Sequence, residues 1–473
     1  MMGGKAGSKD MHRIRVAVLG GAAFFGLTAI AQADELAGLK TEIAALNGRM
    51  AAIEAAPSMP QGYRLIAISE GDLVETPGAP LSARERAAYG GRATLISVVA
   101  AADAPPAATI SWSGYNRAGI VYNGVNQKTN DKAYSLQSGQ WVRDPADDVK
   151  TSKNTHDTDV SGRAQLMVQA KTDTAVGEVG TELQLRADYN GNGPADVYAK
   201  VAWGYWSMTP DLTLGGGYDQ SLGDIVYGYD GSCTCYFTDN ADVDFDPGDT
   251  TQLRLDYKTG GVTMSAALES GALDNGGGSN GNPGQNNGKL GVAGAISYAG
   301  DVLNAEIAGV WRSSNKEETG ANQIWQVGAG GSVALGDAGT LALAAATGEG
   351  PYEVDSSGTI IDGLAYNNTW WGASLWSSFN LGDQAHIELA GGYKHRKGDQ
   401  QTYNDYQVSN VEYDTYALMG GLYYTPVAQL TLGLEGEWYT TSTNANAVKD
   451  DLKYKVDATS DTVWVDVVAV WSF

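Results

Sequence analysis

Sixteen segments of this chain alternate apolar with polar residues, and they follow one another over most of its length. In 430–439, for example, Leu430, Leu432 and Leu434 alternate with Thr431 and Glu435. Since successive side chains of a strand point to opposite faces, this alternation predicts strands with one apolar and one polar face. The predicted strands are residues 109–123, 159–172, 176–190, 195–206, 211–218, 250–258, 261–270, 288–299, 301–313, 321–335, 339–347, 368–381, 384–397, 411–425, 427–440 and 459–473.

The connections between the predicted strands alternate in length. Those after even-numbered strands are tight, as at 258–261 and 381–383, whereas most of the others are long and rich in Asn, Asp and Gly, as at 274–287. Short turns at one end and long loops at the other are typical of outer-membrane β-barrels. A soluble sandwich shows the same alternation of faces, but the strand count and the loop asymmetry favour the barrel. We therefore predict an all-β fold, a 16-stranded antiparallel transmembrane β-barrel over 109–473, preceded by a short periplasmic coiled-coil helix.

Residues 1–33 are predicted to be a signal peptide. Basic residues such as Arg13 and Arg15 precede the apolar run 16–30, and Ala31 and Ala33 supply the small residues of a cleavage site. Cleavage after Ala33 would move the formal net charge from −24 to −27. So acidic a chain is a poor partner for nucleic acid, whose phosphates require a basic surface. No later stretch contains the ~20 apolar residues that a membrane helix needs.

A heptad pattern follows in residues 34–57. Its apolar positions are spaced alternately three and four residues apart, which predicts a coiled coil. They are Leu36, Leu39, Ile43, Leu46, Met50 and Ile53. Opposite charges beside them favour parallel self-association, and a helix lying on its own domain is the alternative.

Residues 58–108 are predicted to form a small periplasmic segment or linker, with β-α-β as one arrangement, and no chemistry is assigned to them.

Three segments carry a resemblance to the general porin family of alphaproteobacterial outer membranes. They are 110–122 (ISWSGYNRAGIVY), 251–270 (TQLRLDYKTGGVTMSAALES) and 416–438 (YALMGGLYYTPVAQLTLGLEGEW). The closing Trp471 and Phe473 resemble the family's C-terminal signal, which the barrel assembly machinery reads. The resemblance covers about 109–473, and it implies a homotrimer of 16-stranded channels, each narrowed by its third external loop. The heptads and 58–108 depart from the family's usual short N-terminus.

The connection 219–249 occupies the position of that constriction loop. It is rich in aspartate, and basic side chains on the polar faces of neighbouring strands are expected to point toward it. The acidic candidates are Asp219, Asp224, Asp230, Asp239, Asp242 and Asp244. The basic candidates are Arg117, Arg163, Arg186, Lys200 and Arg254. An acidic loop opposite a basic wall would set a transverse field across a narrow aqueous pore and bias the choice of ion.

Other roles for these residues stay open. The aspartates also suit a solvated loop or a calcium site, although no twelve-residue calcium-loop pattern is present, and the arginines could pair with Glu182 and Asp188. For Cys233 and Cys235 a local disulfide is favoured over a metal site, because two thiols alone are a poor ligand set. We expect no metal and no cofactor, with calcium in 219–249 as the one alternative. The sequence shows no catalytic triad, phosphate loop or metal-ligand cluster, so we do not expect an enzyme.

The expected function is passive diffusion of small hydrophilic solutes and ions, with a mild cation preference because the chain is acidic. One alternative is a solute-specific channel, for which Trp376 is the candidate binding residue. Another is a tether that holds the outer membrane to the cell wall through the coiled coil. We expect the barrel in the outer membrane and the coiled coil in the periplasm. The expected partners are further copies of the chain, outer-membrane lipid and lipopolysaccharide, the barrel assembly machinery and, for a tether, peptidoglycan.

Overall fold

The structure, a computed structural model, describes residues 65–99, 108–190, 196–270, 290–313, 323–353, 361, 365–398 and 400–473. The predicted signal peptide and the predicted coiled coil lie outside the described residues. Nearly all described residues belong to one compact unit, which comprises Ile66–Val98 and Pro106–Phe473. Among them, no helix is both long enough and apolar enough to cross a membrane.

Sixteen antiparallel strands, each hydrogen-bonded to the next, close into a barrel. Strands are numbered in chain order, beginning with β1 (Leu65–Asp72) and β2 (Arg92–Val99), which precede the barrel and flank a helix at Ala83–Tyr89. The barrel strands are β3 (Ala108–Gln137), β5 (Val149–Thr174), β6 (Gly177–Asn190), β7 (Val197–Thr209), β8 (Leu212–Gln220), β9 (Asp249–Thr259), β10 (Val262–Ser270), β11 (Leu290–Ala299), β12 (Leu303–Ser313), β13 (Gln323–Ala334), β14 (Gly339–Glu353), β15 (Ala365–Asn380), β16 (Ala385–Gly398), β18 (Tyr406–Val427), β19 (Leu430–Lys449) and β20 (Leu452–Ser472). β4 (Gln140–Arg143) and β17 (Gln401–Tyr403) are short additions in loops.

Closure joins the last barrel strand to the first. β20 pairs antiparallel with β3, from Ser472 opposite Tyr115 to Leu452 opposite Ser135. Beyond this pairing, the backbone of Phe473 exchanges hydrogen bonds of 2.9 and 3.0 Å with Gly114. The 16-stranded barrel predicted from the sequence is therefore confirmed.

The two ends of the barrel differ. At one end, which also holds the start of β3 and the end of β20, the strands are joined by tight turns such as 175–176 and 428–429. At the other end β3, β5, β18, β19 and β20 extend far outward, because they contain 30, 26, 22, 20 and 21 residues. A bilayer requires only ~9–11 residues of a tilted strand. The predicted asymmetry is present, and both ends of the barrel chain lie at the short-turn end.

The outer face of the barrel is apolar and is bounded by two rings of exposed aromatic side chains. The ring at the short-turn end contains Trp112, Trp206, Tyr257, Tyr298, Phe379, Tyr424 and Trp471. The ring at the long-loop end contains Tyr122, Tyr189, Trp311, Trp371, Tyr416 and Trp438. At ~3.3 Å per residue and a tilt of ~40°, the span from Trp112 to Tyr122 along β3 corresponds to roughly 25 Å of bilayer. This matches the height of the apolar band of a transmembrane barrel.

The sheet continues past the barrel at the short-turn end. β2 pairs with β3 at Thr94 opposite Trp112, on the edge of β3 that β20 leaves free. β1 in turn pairs with β2. The connection between β1 and β2 contains the helix Ala83–Tyr89 and lies in the lumen, where it contacts the inward-facing side chains Gln165, Arg186 and Trp203.

The apolar band yields a test of the fold. Leu343 lies on the outer face midway between the two aromatic rings and is 62% exposed. We expect Leu343→Lys to lower the free energy of unfolding in lipid vesicles by about 2–4 kcal/mol, because a lysine at the midplane must leave water. Leu335→Lys, at an exposed position beside a short turn, should lower it by only about 0–1 kcal/mol. Urea titrations measure both, and equal losses would mean that this face does not meet lipid.

Candidate functional site

The long connection between β8 and β9 folds into the barrel. It covers residues 221–248, since Asp219 belongs to β8 and Asp249 to β9. Tyr229, Cys233 and Tyr236 in this connection have no exposed surface. We call residues 221–248 the inner loop.

Four glutamates of the barrel wall hold the inner loop by accepting hydrogen bonds from its backbone. Glu435 accepts from the N–H groups of Tyr236 at 2.8 Å and Phe237 at 3.0 Å. Glu437 accepts from the N–H of Ala241 at 3.1 Å. Hydrogen bonds to an ionised acceptor are about twice as strong as neutral ones, so these contacts fix the course of the loop along β19.

Glu388 and Glu269 act in the same way on other strands. Glu388 accepts from the N–H of Thr234 at 2.8 Å, and Glu269 accepts from the N–H of Leu222 at 2.9 Å. Glu269 is also paired with Arg312 at 2.8 Å, and the pair is almost fully buried. The wall is therefore acidic where it anchors the loop. None of the four glutamates was among the sequence candidates, and their only signal was a place on the polar face of a predicted strand.

The inner loop turns tightly around a short helix, Gly228–Ser232. Gly228 has a φ of +83°, and a Cβ there would lie 2.2 Å from Ser374 Oγ, so both its backbone conformation and its approach to the wall require glycine. Cys233 and Cys235 form a disulfide directly after this helix. The residue between them is Thr234, whose N–H and hydroxyl both bond to Glu388.

The loop aspartates pair with cations that were not among the sequence candidates. Asp230 and Asp239 both pair with Arg84, which is 3.2 Å from Asp230. Asp242 pairs with Lys394 at 3.1 Å, and also with Arg396. Arg84 was missed because it precedes the barrel, in a segment to which no chemistry was assigned.

The helix Ala83–Tyr89 meets the inner loop from the short-turn end of the lumen. Ser82 and Glu85 form a capping box that begins the helix. Glu85 also accepts a hydrogen bond of 2.8 Å from Arg186 on β6, while Gln165 on β5 donates to the Tyr89 hydroxyl at 2.9 Å. The helix is thus bonded to the wall on one side and to the inner loop, through Arg84, on the other.

Three of the basic candidates on the lumen face are paired with carboxylates. Arg163 pairs with Asp188, which is one of the pairings left open by the sequence. Lys200 bonds to Asp249 at 2.6 Å. Arg186 pairs with Glu85.

Arg117 and Arg254 have different surroundings. The guanidinium of Arg117 lies 4.5 Å from the ring centroid of Phe237 in the inner loop, which is a cation–π contact. Arg254 pairs with Asp256 at 2.7 Å, and it also donates to the carbonyl of Gly78 at 3.3 Å.

An open cavity of about 870 Å³ remains between the inner loop, the segment before the barrel and the strands β7 to β15. Its charged lining residues are Glu75, Asp211, Asp219, Asp224, Asp256, Glu306, Arg86, Arg254 and Lys258. Arg86 pairs with Glu75 and Arg254 with Asp256, so the lining retains an excess of carboxylates. Of the sequence candidates, the structure brings Asp219, Asp224 and Arg254 together at this cavity.

Burial changes the acidity of several loop carboxylates. It raises the pKa of Asp230 to about 7, although Arg84 opposes the shift. It raises the pKa of Asp244 to about 6 against the attraction of Lys394. Burial also raises the pKa of Asp224 well above its ordinary value. These groups therefore gain their negative charge at a higher pH than ordinary aspartates do.

No metal site is found among the described residues. Within the described ranges, no group of three or more His, Cys, Asp or Glu side chains is placed to hold a metal ion. Calcium in residues 219–249 stays a prediction, and so does the expectation of no cofactor.

Comparison with known proteins finds structural matches at low identity and with TM-scores below 0.5. No family model matches the chain, and no curated protein matches it. The outer membrane channel DcaP of Acinetobacter baumannii is 14% identical over 77% of this chain and 97% of its own, with a TM-score of 0.47. Outer-membrane expressed OmpT of Vibrio cholerae is 12% identical over 77% and 98%, with a TM-score of 0.43. A mutant of Rh. blastica porin is 15% identical over 77% and 100%, with a TM-score of 0.38. At these identities the similarity says nothing about solutes or ions.

The anchoring of the inner loop can be tested at Glu435. Besides the two backbone N–H groups, Glu435 accepts from Thr238 and from the buried Tyr423 hydroxyl. We expect Glu435→Ala to lower the free energy of unfolding by about 2–4 kcal/mol, since several buried donors lose their acceptor. Glu70→Ala, whose side chain is 83% exposed, should change it by no more than about 0.5 kcal/mol. Equal effects of the two substitutions in urea titrations would contradict the anchoring role.

Proposed function

We propose that the chain is an outer-membrane channel of the porin type, and not an enzyme, through which small hydrophilic solutes and ions diffuse passively. The observation that carries this proposal is a closed barrel with an apolar outer band, whose lumen keeps an open, charged cavity of about 870 Å³ beside the inner loop. The apolar band suits lipid. A charged lining keeps a narrow route hydrated and biases the choice of ion.

The inner loop is proposed to be the constriction loop. Asp219 and Asp224 border the remaining opening, and Arg254 faces it from β9. The other candidates, Asp230, Asp239, Asp242, Asp244, Arg117, Arg163, Arg186 and Lys200, are proposed to shape the field around it. Because carboxylates outnumber cations in the cavity lining, the channel should favour cations mildly.

Location and assembly are proposed from the sequence and the barrel ends. Export through the signal peptide 1–33 and a periplasmic coiled coil 34–57 fit a barrel whose chain ends both lie at the short-turn end. Phe473 is bonded to Gly114 at that end, and Trp471 is exposed on the outer face, where assembly machinery and lipid could contact them. We propose a homotrimer with parallel coiled coils, in contact with outer-membrane lipid and lipopolysaccharide.

General diffusion is favoured over a binding site at Trp376. This indole is 8% exposed, and its N–H donates to Glu388 at 3.0 Å, on the same carboxylate that anchors the inner loop. These contacts favour a structural role. A tether to peptidoglycan remains the second proposal. Deletion of 34–57 separates the two, because a tether loses envelope spacing whereas a channel keeps its conductance.

Charge at the cavity mouth provides the functional test. Asp211 and Lys258 are exposed lining residues. In planar bilayers with a salt gradient, Asp211→Lys should lower the cation selectivity of the purified protein and Lys258→Glu should raise it, because each alters the field along the route. Asp301→Lys, in an exposed turn outside the cavity, should leave the reversal potential unchanged. A wild-type protein that carries no current would overturn the proposed function.

Cation selectivity should also increase between about pH 5 and 8. Asp230 and Asp244, with pKa values of about 7 and 6, are protonated at the lower limit and ionised at the upper one, while Arg84 keeps its charge. Reversal potentials measured across this range check the expectation. The double variant Asp230→Asn, Asp244→Asn should reduce the pH dependence, and the part that stays belongs to other buried carboxylates such as Asp224. A wild-type profile as flat as that of the variant would contradict the assignment of these two groups.

A further inference from the structure

The chain between β1 and β2 fills part of the lumen and is fixed there at several points. The indole N–H of Trp203 donates to the carbonyl of Pro77 at 2.9 Å. Gly90 ends the helix with a φ of +65°, and a Cβ there would lie 2.7 Å from the carbonyl oxygen of Ala428. Such contacts bind the segment to both the wall and a turn of the barrel. We call residues 73–91 the inserted segment.

Neighbouring residues of its helix bond to opposite sides of the lumen. Glu85 pairs with Arg186 on the wall at 2.8 Å. Arg84 faces the inner loop, where it pairs with Asp230 and Asp239. Its Nε also donates to the carbonyl of Thr234 at 3.3 Å. The helix therefore bridges the space between wall and loop with three ion pairs, one made by Glu85 and two by Arg84.

The charge of Arg84 matters for the loop. Burial alone would raise the pKa of Asp239, but attraction to Arg84 and Arg117 brings it below its ordinary value. Asp239 therefore carries a negative charge. Arg84, whose side chain is only 16% exposed, compensates this charge. Without Arg84 this carboxylate would face the lumen with less compensation.

We propose that the inserted segment is a second constriction element, which narrows the pore from the short-turn side and sets ion selectivity through Arg84. The proposal rests on the proposed function as a channel. Arg84 is a positioning residue in this scheme, because it holds the inner loop through Asp230 and Asp239, and it also lowers the negative charge that a permeating ion meets. Charged rings and their compensation determine selectivity in narrow pores.

Single substitutions test the role of Arg84. In planar bilayers, Arg84→Ala should shift the reversal potential toward that of a more cation-selective pore and increase open-channel current fluctuations. Arg84→Lys keeps the charge and should restore the reversal potential. Arg92→Ala is the matched control, because Arg92 is an exposed arginine of β2 whose partner is Glu70. Arg84→Ala and Arg92→Ala behaving alike would overturn the role of Arg84.

Removal of the inserted segment tests the narrowing. Leu73 donates to the carbonyl of Gly91 at 3.0 Å, so the two ends of the segment are adjacent and residues 74–90 can be replaced by a tight Asn-Gly turn. This variant should show a severalfold higher conductance than the wild type. Unchanged conductance of a variant with the circular dichroism of a folded barrel would overturn the proposal. If this variant does not fold, the comparison of Arg84→Ala with Arg84→Lys tests the proposal.

Different results would contradict the channel function and the second constriction element. A wild-type protein that carries no current in bilayers would contradict the channel function itself. A wild-type protein that conducts, with variants at 84 and 74–90 indistinguishable from it, would contradict only the second constriction element.

Discussion

Backbone pairing in lipid is the constraint on which the rest of this structure depends. An N–H or C=O group without a partner in hydrocarbon costs several kcal/mol, so a sheet can cross the bilayer only when it has no free edge. The pairing of β20 with β3 removes the two edges. Where β20 ends, β2 takes over the same edge of β3. The position of the inserted segment follows from this, because β2 enters the sheet at the mouth of the lumen.

The closed wall surrounds a wide lumen, and the inner loop fills part of it. The inner loop brings backbone N–H groups into the barrel, where each must find an acceptor. Glu435 and Glu437 on β19 supply acceptors, and Glu388 and Glu269 do so on β16 and β10. A carboxylate accepts several bonds at once, so four side chains suffice for a long stretch of loop. The cost is buried negative charge, and Arg312 compensates part of it beside Glu269.

The sequence predicted the strands well because alternation is a local signal. The seventh barrel strand was expected at 261–270 and lies at Val262–Ser270. The first barrel strand was expected at 109–123 but continues to Gln137. Beyond the bilayer neither face of β3 meets lipid, so the apolar residues that mark alternation are lost there. Strand ends outside the membrane are therefore much less visible in the sequence than strand centres.

The site was only partly predictable, because its contacts join residues that are far apart in the chain. Alternation placed Arg117, Arg186 and Arg254 on the lumen face, yet it could not identify their partners. Arg84 and Asp239 are separated by 155 residues, and Glu435 and Tyr236 by 199. Neither pairing has a periodic signature, since each depends on how two irregular segments fold inside the barrel.

The inner loop and the inserted segment also depend on each other. A loop held only by wall glutamates would be fixed along one side and free toward the centre of the lumen. Arg84 supplies a contact on the central side. The helix that carries Arg84 is itself anchored to the wall, because Glu85 pairs with Arg186. Because arginine presents a rigid fork of donors, one side chain can hold two carboxylates and a carbonyl at once. The width of the opening is therefore a joint property of two segments, one before the barrel and one within it.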